Sequence, residues 1–360
     1  MKIVFRKFNS KVELKSQREL FKECFPECIN QSVITNEHYH WKFHTIAGDL
    51  KSAEYAAYSN SDLVGYYAAL PYQYKLSGKV VKAAMVCDVM TSTKARGKGV
   101  FTQLGVFSTD EFSKTGFDFA TGFPIRKEVI PGHLKAGWEK YFELPLYGKF
   151  IKSNAFLRQR NLEFCAPIFN FFLSVINRLT ELIFLPKQGA LKLETFSSDG
   201  LKNIHGLSQF YCEWSNQIGI SLNKDMDFLK WRLGAPGKSY YLTVLRDGDR
   251  IVGVLIACEI LREGVPCMGI LDLAVLKSHY YYSNLLSQQI TELAKQNGLE
   301  MLLVMASKKW YYKYKLHLNM FLPTPFKFHF ICKNLSTSIQ DNALRNSENW
   351  HLMWIDSDDL

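Results

Sequence analysis

The sequence predicts a mixed α/β protein built from two tandem copies of one fold, each a mixed central sheet flanked by helices. In each half, β-rich runs separated by turns precede a strand–helix–strand–helix pattern. The two halves also share four short matches in the same order, with a separation that shrinks steadily along the chain. The matched pairs are Trp41-Lys42-Phe43 with Trp231-Arg232-Leu233, Leu63-Val64-Gly65 with Ile251-Val252-Gly253, Cys87-Asp88-Val89 with Leu271-Asp272-Leu273, and Gly116-Phe117-Asp118-Phe119 with Gly298-Leu299-Glu300-Met301.

This repeat defines the predicted domain organisation. A chain of 360 residues is long enough for two domains of about 150 residues each. We expect the first domain at 1–150 and the second at 190–335. A helical linker at 151–189 joins them, and a C-terminal tail follows at 336–360.

Each predicted domain contains the same elements in the same order. An apolar opening segment and a helical pattern come first, and three β-rich runs separated by turns such as Asn60-Ser61-Asp62 and Asp247-Gly248-Asp249 come next. A helix, a short buried strand and a final helix follow. The segments before the final helix are 3–8, 14–25, 54–58, 63–74, 80–91, 100–115 and 117–121 in the first copy, and 191–196, 201–214, 240–246, 250–261, 266–275, 283–297 and 301–305 in the second.

The composition is that of a globular protein with a basic surface. Hydrophobic residues make up 47% and charged residues 22%, which excludes intrinsic disorder and collagen-like sequence. The formal net charge of +10 favours anionic partners, namely nucleic acid, anionic lipid or phosphate-bearing small molecules. The eight cysteines form no CxxC pair, and the charged N-terminus has no apolar core of a signal peptide, so we expect a cytoplasmic protein.

The longest apolar stretch runs from Phe164 to Leu185. Four polar residues interrupt it, which is unusual for a membrane span of that length. We therefore expect a linker helix that packs between domains, and a peripheral membrane contact is the alternative. The interrupting residues are Asn170, Asn177, Arg178 and Glu181.

A basic, glycine-containing loop, Thr93–Phe101, separates a β-rich run from a helical pattern. Orphan backbone N–H groups and the helix dipole at such a position attract phosphate, and glycine lets the ligand approach closely. The spacing around Gly97 and Gly99 fits neither the Walker loop nor the Rossmann fingerprint. Basic glycine loops are also common as surface turns. The position of this loop between a strand and a helix is therefore the main support for a phosphate-binding site.

This loop and its context resemble the acyl-coenzyme A signature of the GNAT superfamily of N-acyltransferases, in which a central strand leads into R/Q-x-x-G-x-G/A. Arg96-Gly97-Lys98-Gly99-Val100 matches, and Phe101 replaces the usual final Gly or Ala. The segments 117–122 and 134–138 resemble the second motif of the family, a splayed strand and a helix that ends in Gly plus an aromatic residue. The resemblance implies an acyl-CoA co-substrate, no metal, and cofactor contacts from Val89, Met90, Thr91, Arg96, Gly97, Lys98, Gly99, Val100 and Phe101.

The corresponding loop of the second copy, Leu276–Ser283, contains no glycine. Three consecutive tyrosines, 280–282, crowd the approach to the helix that follows. A phosphate cradle without close backbone access is not expected. The second domain is therefore predicted to lack coenzyme A and to support the first domain or help form the acceptor pocket.

Transfer of an acyl group from a thioester to an amine needs a neutral amine, a polarised carbonyl and an acid for the leaving thiolate. The resemblance implies that a backbone amide between Val89 and Thr91 holds the carbonyl oxygen. Asp88 lies on the same strand and is the candidate base. A structural role is an equal alternative, because Asp272 occupies the matching place in the second copy.

Two residues are candidate acids for the leaving thiolate. His133 stands where the family often has a tyrosine, and its pKa near neutrality suits a proton donor. The alternative is a helical histidine without a role, and Tyr141 is the second candidate. The predicted acceptor-binding residues are Tyr39, Lys42, Tyr72 and Tyr74.

Tandem GNAT domains with one intact and one degenerate loop resemble bacterial acyltransferases that modify amino sugars carried on nucleotides. The resemblance implies transfer of an acetyl or short hydroxyacyl group to a dTDP- or UDP-linked amino sugar for lipopolysaccharide or capsule biosynthesis. We expect no nucleic acid partner and no transmembrane segment. Two alternatives remain: a peptide, polyamine or aminoglycoside acceptor, and a nucleic-acid-binding protein that uses the loop and the aromatic, basic segment Trp310–Lys315.

Overall fold

The computed structural model describes residues 2–49, 51–184, 186–187 and 189–358. Its strands are β1 (Ile3–Lys7), β2 (Ala53–Ser59), β3 (Asp62–Leu76), β4 (Lys79–Thr91), β5 (Phe119–Gly122), β6 (Glu139–Phe150), β7 (Lys192–Ser197), β8 (Ile220–Leu222), β9 (Tyr240–Asp247), β10 (Arg250–Arg262), β11 (Val265–Val275), β12 (Met301–Met305), β13 (Leu322–Asn334) and β14 (Trp350–His351). Its α-helices are α1 (Ser10–Cys24), α2 (Asn36–His44), α3 (Val100–Lys114), α4 (Ile130–Lys135), α5 (Asn154–Arg158), α6 (Ala166–Phe184), α7 (Leu207–Ser215), α8 (Met226–Arg232), α9 (Ser283–Gln296), α10 (Lys308–Lys313) and α11 (Asp341–Arg345).

The chain forms two compact units, and each unit combines segments that are distant in the sequence. They therefore differ from the contiguous ranges 1–150 and 190–335 that the repeat suggests. The first unit consists of Met1–Phe142, Asp227–Gly237 and His329–Asn349. The second consists of Glu143–Met226, Lys238–Phe328 and Trp350–Leu360.

The first unit contains a mixed sheet in the strand order β1-β2-β3-β4-β5-β13. The strands β1 to β4 are antiparallel, β5 runs parallel to β4, and the last residues of β13 pair antiparallel with β5. On one face, α3 packs its buried side chains Val100, Leu104 and Phe112 against alanines and aromatic residues of β2 and β3. The predicted hairpins and the helix after β4 are thereby confirmed.

The turns between these strands form where the sequence places small and polar residues. Asn60 connects β2 to β3 with a φ of 55°, a left-handed conformation that asparagine adopts more readily than most residues. Gly78 connects β3 to β4 with a φ of 84°, and nothing lies within 4 Å of where its Cβ would be. These turns fix the register of the strand that leads to the glycine loop.

The second unit repeats this architecture. Its strands follow the order β12-β11-β10-β9-β7, and the end of β6 pairs antiparallel with β12. The strands β7, β9, β10 and β11 pair antiparallel, whereas β12 runs parallel to β11, as β5 runs parallel to β4. Helix α9 follows β11 as α3 follows β4. The predicted second copy of the fold is therefore present.

The repeated tryptophans Trp41 and Trp231 meet inside the first unit. Their rings stack with centroids 5.3 Å apart and an interplanar angle of 12°. Each indole Nε1 also donates to the backbone carbonyl of the other residue, at 2.7 Å from Trp41 and 3.1 Å from Trp231. Both tryptophans act in packing, as the sequence suggests, and the contact fixes the segment Asp227–Gly237 to α2.

One helical segment, Glu163–Phe184, is long and apolar enough to cross a membrane by length and composition, and 6% of it is buried. The prediction of a helix in this part of the chain is confirmed by α6. The expectation that its apolar side chains would be packed is wrong, because Ile168, Phe171 and Leu182 are exposed.

Candidate functional site

The site is organised by a β-bulge in β4. Opposite β3, the register shifts between the pairs Tyr66–Met90 and Ala68–Cys87, so that β4 holds one extra residue there. Asp88 lies in this bulge with a φ of 48°, a conformation that few non-glycine residues adopt. The side chain of Asp88 is 11% exposed.

The bulge lies where β4 and β5 stop pairing. Their parallel register runs from Ala83 with Phe119 to Val86 with Gly122 and ends there. Beyond it, no strand among the described residues pairs with the β5-facing edge of β4 from Val89 to Thr91, although the Thr91 carbonyl accepts a hydrogen bond from the Cys24 thiol. Unpaired backbone groups at such an edge can bind an extended ligand in the manner of an added strand. The residues Val89, Met90 and Thr91 lie on this edge.

The chain then forms a short 3₁₀ turn, Thr93–Ala95, and enters α3 through two glycines. Gly97 and Gly99 have φ values of 73° and 75°, and Gly99 is the N-cap of the helix. Within the described part of the chain, the backbone N–H groups of Gly97, Gly99, Val100 and Phe101 have no hydrogen-bond acceptor. Nothing lies within 4 Å of where a Cβ of Gly97 would be, so a ligand can approach closely.

The loop carries exposed positive charge and is held by one carboxylate. Lys94, Arg96 and Lys98 are all exposed. Oε1 of Glu23 accepts hydrogen bonds from the Thr93 backbone N–H and hydroxyl, both at 2.7 Å, and these bonds lower the pKa of that carboxyl. A helix N-terminus with free amides and nearby cations is the arrangement that binds a diphosphate. The residues of the loop therefore fit the diphosphate of coenzyme A.

Phe101 departs from the signature without filling the cradle. Its ring contacts α4, where a Cβ on Gly132 would lie 2.5 Å from the ring, and its centroid is 5.0 Å from that of His133. The aromatic side chain therefore packs α3 against α4.

Asp88 is paired with a lysine from α2. Nζ of Lys42 lies 2.8 Å from Oδ1 of Asp88, and only 8% of the Lys42 side chain is exposed. The structure thus brings together the predicted base and one of the predicted acceptor-binding residues. The ion pair holds the Asp88 side chain in place, and the bulge fixes its backbone.

A second carboxylate lies in the same cluster, and sequence reasoning missed it. Glu54 of β2 is buried, and its Oε2 accepts hydrogen bonds from the hydroxyls of Tyr39 and Tyr66, the latter at 2.5 Å. Burial raises the pKa of the Glu54 carboxyl, against the opposing effect of both tyrosine hydrogen bonds. A carboxyl with a raised pKa near a cleft is typical of functional sites. The signal in the sequence is a lone glutamate within the apolar run Ala53–Tyr58.

His133, the first candidate acid, is buried within an aromatic cluster. Its ring lies 5.0 Å from that of Phe101, 5.3 Å from Trp138 and 6.1 Å from Tyr67, measured between centroids. Burial lowers the pKa of His133 to about 4. The imidazole is therefore neutral at physiological pH and does not carry the extra proton that the prediction required.

The remaining predicted residues have other surroundings. Tyr72 and Tyr74 are buried on β3, and the ring of Tyr72 is edge-on to that of Phe228. Tyr141 lies at the start of β6, and the guanidinium of Arg345 is 5.6 Å from its ring centroid. Burial raises its pKa. Two strands, β5 and β13, separate β6 from β4 in the sheet order, a distance of about 14 Å. The structure does not bring these three tyrosines to Asp88.

The second unit repeats the bulge without the cradle. The register between β10 and β11 shifts beside Asp272, and Oδ1 of Asp272 lies 2.6 Å from Nζ of Lys224 with both side chains fully buried. The chain before α9 is a 3₁₀ helix, Lys277–Tyr282, whose residues all have negative φ. The ring of Tyr280 packs against Trp310, 6.2 Å away between centroids.

Comparison with known proteins agrees with this geometry. Residues 6–140 match the family model of the acetyltransferase (GNAT) domain. No curated protein matches the chain.

Several solved structures share the fold over nearly the whole chain. A GCN5-related N-acetyltransferase from Anabaena variabilis is 14% identical with a TM-score of 0.61, over 93% of this chain and 73% of that one. Saccharomyces cerevisiae N-myristoyltransferase with bound myristoyl-CoA is 12% identical with a TM-score of 0.57, over 92% and 82%. A tandem GNAT protein from the clavulanic acid biosynthesis pathway is 10% identical with a TM-score of 0.58, over 94% and 100%. The predicted tandem fold and enzyme class are confirmed.

We expect substitution of Gly97 to abolish binding of the donor. Gly97→Val places a β-branched residue at positive φ and covers the free amides, so the affinity for coenzyme A should fall about tenfold or more. Isothermal titration calorimetry with coenzyme A measures the change. Gly78→Val is the matched control, because Gly78 has a similar φ and equally open surroundings in a distant turn. Equal affinities of the two variants would contradict the cradle.

We also expect His133 to make the protein sensitive to acid. A histidine whose pKa is about 4 when folded and about 6.5 when unfolded binds its proton more tightly in the unfolded chain. Its destabilising effect is absent at pH 7 and grows as the pH falls from about 6.5 to about 4, reaching about 2 kcal/mol at pH 4.5. We therefore expect the free energy of unfolding, measured with urea at pH 7 and at pH 4.5, to fall less between these pH values for His133→Phe than for the wild type. The same loss in both proteins would contradict a buried neutral imidazole.

Proposed function

We propose that this protein, an acyl-CoA-dependent N-acyltransferase with a GNAT domain at residues 6–140, acylates the amine of a nucleotide-linked amino sugar. The donor is acetyl-CoA or a short hydroxyacyl-CoA, and the acceptor is a dTDP- or UDP-linked sugar for lipopolysaccharide or capsule biosynthesis. The observation that carries the donor assignment is the pair of left-handed glycines, Gly97 and Gly99, with free amides at the start of α3.

The charge of the protein supports an anionic acceptor. The net charge is +10, and a coenzyme A donor and a nucleotide-linked sugar each carry a diphosphate. A polycationic acceptor such as a polyamine or an aminoglycoside would be repelled by the same field. The tandem arrangement has one glycine loop and one 3₁₀-helical loop without glycine, and it agrees with the sequence resemblance on which the acceptor class rests.

In the proposed mechanism the donor thioester lies along the β5-facing edge of β4, and a backbone amide between Val89 and Thr91 polarises its carbonyl oxygen. Asp88 takes the proton from the acceptor ammonium, directly or through water, and the free amine attacks the carbonyl carbon. Lys42 orients the Asp88 carboxylate. The bond to sulfur then breaks, and the nitrogen gives up its second proton as the amide forms. That proton neutralises the thiolate, so coenzyme A leaves as the thiol.

Glu54 has a positioning role in this mechanism. Its hydrogen bonds from Tyr39 and Tyr66 connect β2 to α2 and β3 beneath Asp88. Asp88 is close enough to raise the pKa of Glu54, so the charges of the two carboxyls are linked. Tyr39, predicted as an acceptor-binding residue, is 2% exposed and acts through Glu54 rather than by contact with the sugar.

The acceptor class is tested with a panel of amines and several acyl-CoA donors, with free thiol release as the readout. We expect turnover with UDP- or dTDP-linked amino sugars. We expect kcat/KM to be at least about tenfold lower for the same amino sugar without its nucleotide, because the phosphate contacts are lost. If peptides or polyamines are acylated and nucleotide-linked sugars are not, the acceptor assignment is overturned. The donor assignment is unaffected by that result.

Asp88→Asn tests the base. Asparagine tolerates the positive φ of the bulge, so the backbone is kept while the proton acceptor is lost. We expect kcat to fall about 10²-fold or more and the dissociation constant of the donor to stay within about twofold. The matched variant Asp272→Asn breaks the buried pair with Lys224 and should lower the free energy of unfolding by about 3 kcal/mol while kcat of the folded enzyme is retained. Equal effects on both measurements in the two variants would make Asp88 structural.

A further inference from the structure

Helix α6 of the second unit has an inverted amphipathic arrangement. Its two asparagines, Asn170 and Asn177, face the body of the unit, and most of its large apolar side chains face away from it. We define the apolar face of α6 by Ile168, Phe171, Phe172, Leu179, Leu182 and Ile183, which are between 51% and 75% exposed. A soluble helix ordinarily turns such residues inward, and an exposed apolar patch of this extent marks an interaction surface.

The polar face is firmly attached. Oδ1 of Asn170 accepts hydrogen bonds from the backbone N–H and the hydroxyl of Ser153 at 2.8 and 2.9 Å, and its Nδ2 donates to Asn154 at 2.8 Å. Nδ2 of Asn177 donates to the carbonyl of Phe150 at 3.0 Å. These bonds hold α6 along the surface of the second unit, so the apolar face cannot rotate inward without breaking them.

The same bonds argue against a membrane-spanning helix. A spanning helix would have to leave the unit, and Asn170 and Asn177 would lose their partners in a medium without water. Glu181 would also be moved from Lys295, whose Nζ is 3.8 Å from its carboxylate. A helix that keeps its polar face on protein and presents its apolar face outward fits the surface of a bilayer instead.

The charges around α6 favour an anionic surface. The segment 152–192 contains six basic residues and two acidic ones. Each acidic residue lies within 4 Å of a cation, Glu163 at 3.4 Å from Arg158 and Glu181 at 3.8 Å from Lys295. Arg178 and Lys187 are exposed on and just beyond the helix. Each cation near an anionic lipid surface contributes to attraction.

We propose that the apolar face of α6 inserts into the interfacial layer of an anionic phospholipid bilayer and holds the enzyme at the membrane surface. A second copy of the chain suits this face less well, because packing two copies through it would bring together two proteins that each carry a net charge of +10. The insertion is peripheral and reversible, and it requires no step of the acyl transfer.

The experiment is flotation of the full chain with lipid vesicles. With vesicles of phosphatidylglycerol and phosphatidylcholine we expect a bound fraction that rises with phosphatidylglycerol content and falls at high salt. Phe172→Ser/Leu182→Ser removes two exposed apolar side chains and should weaken binding about tenfold or more. Leu261→Ser, which changes a 72% exposed leucine on β10 of the same unit, should bind as the wild type does. Arg178→Gln/Lys187→Gln should reduce the dependence of binding on phosphatidylglycerol.

Three results would overturn the proposal. The first is absence of vesicle binding by the wild type. The second is a concentration-dependent dimer, seen in sedimentation velocity and abolished by Phe172→Ser/Leu182→Ser, in a protein that does not bind vesicles. That result would make the apolar face of α6 a contact between two copies of the chain. The third is resistance of the bound protein to extraction with alkaline carbonate, which would indicate a spanning helix. Coenzyme A affinity, measured in parallel on every variant, should be unchanged, because the substitutions lie outside the glycine loop.

Discussion

The geometry of the site depends on the bulge in β4. One extra residue opposite Ala68 and Tyr66 puts Asp88 at positive φ, just after the last pair between β4 and β5. The bulge therefore lies where the strand becomes free to receive a ligand on its β5-facing edge. It also brings the Asp88 carboxylate to the Lys42 ammonium of α2. The strand then leads directly into the glycine loop, so in the proposed mechanism one irregularity of one strand positions both substrates.

Strain at such a position costs of order 1–3 kcal/mol and persists only where the surroundings enforce it. The second unit shows what the same fold does without that requirement. Its β11 has a register shift and an aspartate, Asp272, at the equivalent place, but the φ of Asp272 is negative. The Asp272 side chain forms an ion pair with Lys224, and both side chains are fully buried. The loop that follows is a 3₁₀ helix, and the ring of its Tyr280 packs against Trp310. The two copies thus separate the features that the sheet alone requires from those to which we assign donor binding.

Local patterns predicted most of the elements of the fold and the position of the glycine loop. Hairpins, the helix after β4 and the glycine loop follow from turn residues and periodicity, which act over a few residues. The roles of Tyr72 and Tyr74 could not be predicted, because β3 is buried over most of its length and alternation then carries no information about a cleft. The burial of His133, which lowers its pKa to about 4, could not be predicted for a related reason: it involves contact with Phe101, which is distant in sequence.

The division of the chain into units shows a different limit of the sequence. The repeat correctly identifies two copies, yet the segment Asp227–Gly237 of the second copy packs in the first unit through Trp231 and Trp41. Matching residues in two copies have similar surfaces, so a segment can satisfy the same contacts in either copy. Sequence similarity alone does not choose between them. The stacking of the two tryptophans and their two reciprocal indole hydrogen bonds place this segment in the first unit.

The orientation of helix α6 also could not be predicted from the sequence pattern alone. Helical periodicity shows that the apolar and polar residues lie on opposite faces of the helix. It does not show which of the two faces packs against the protein. The orientation here is set by three residues that the helix itself does not contain: Ser153, Asn154 and Phe150 offer hydrogen-bonding groups to Asn170 and Asn177. Because these groups are satisfied by the helix, turning the apolar face inward would leave them without partners at a cost of about 1–3 kcal/mol each. The polar contacts, rather than the hydrophobic effect, therefore decide that the apolar face remains outside.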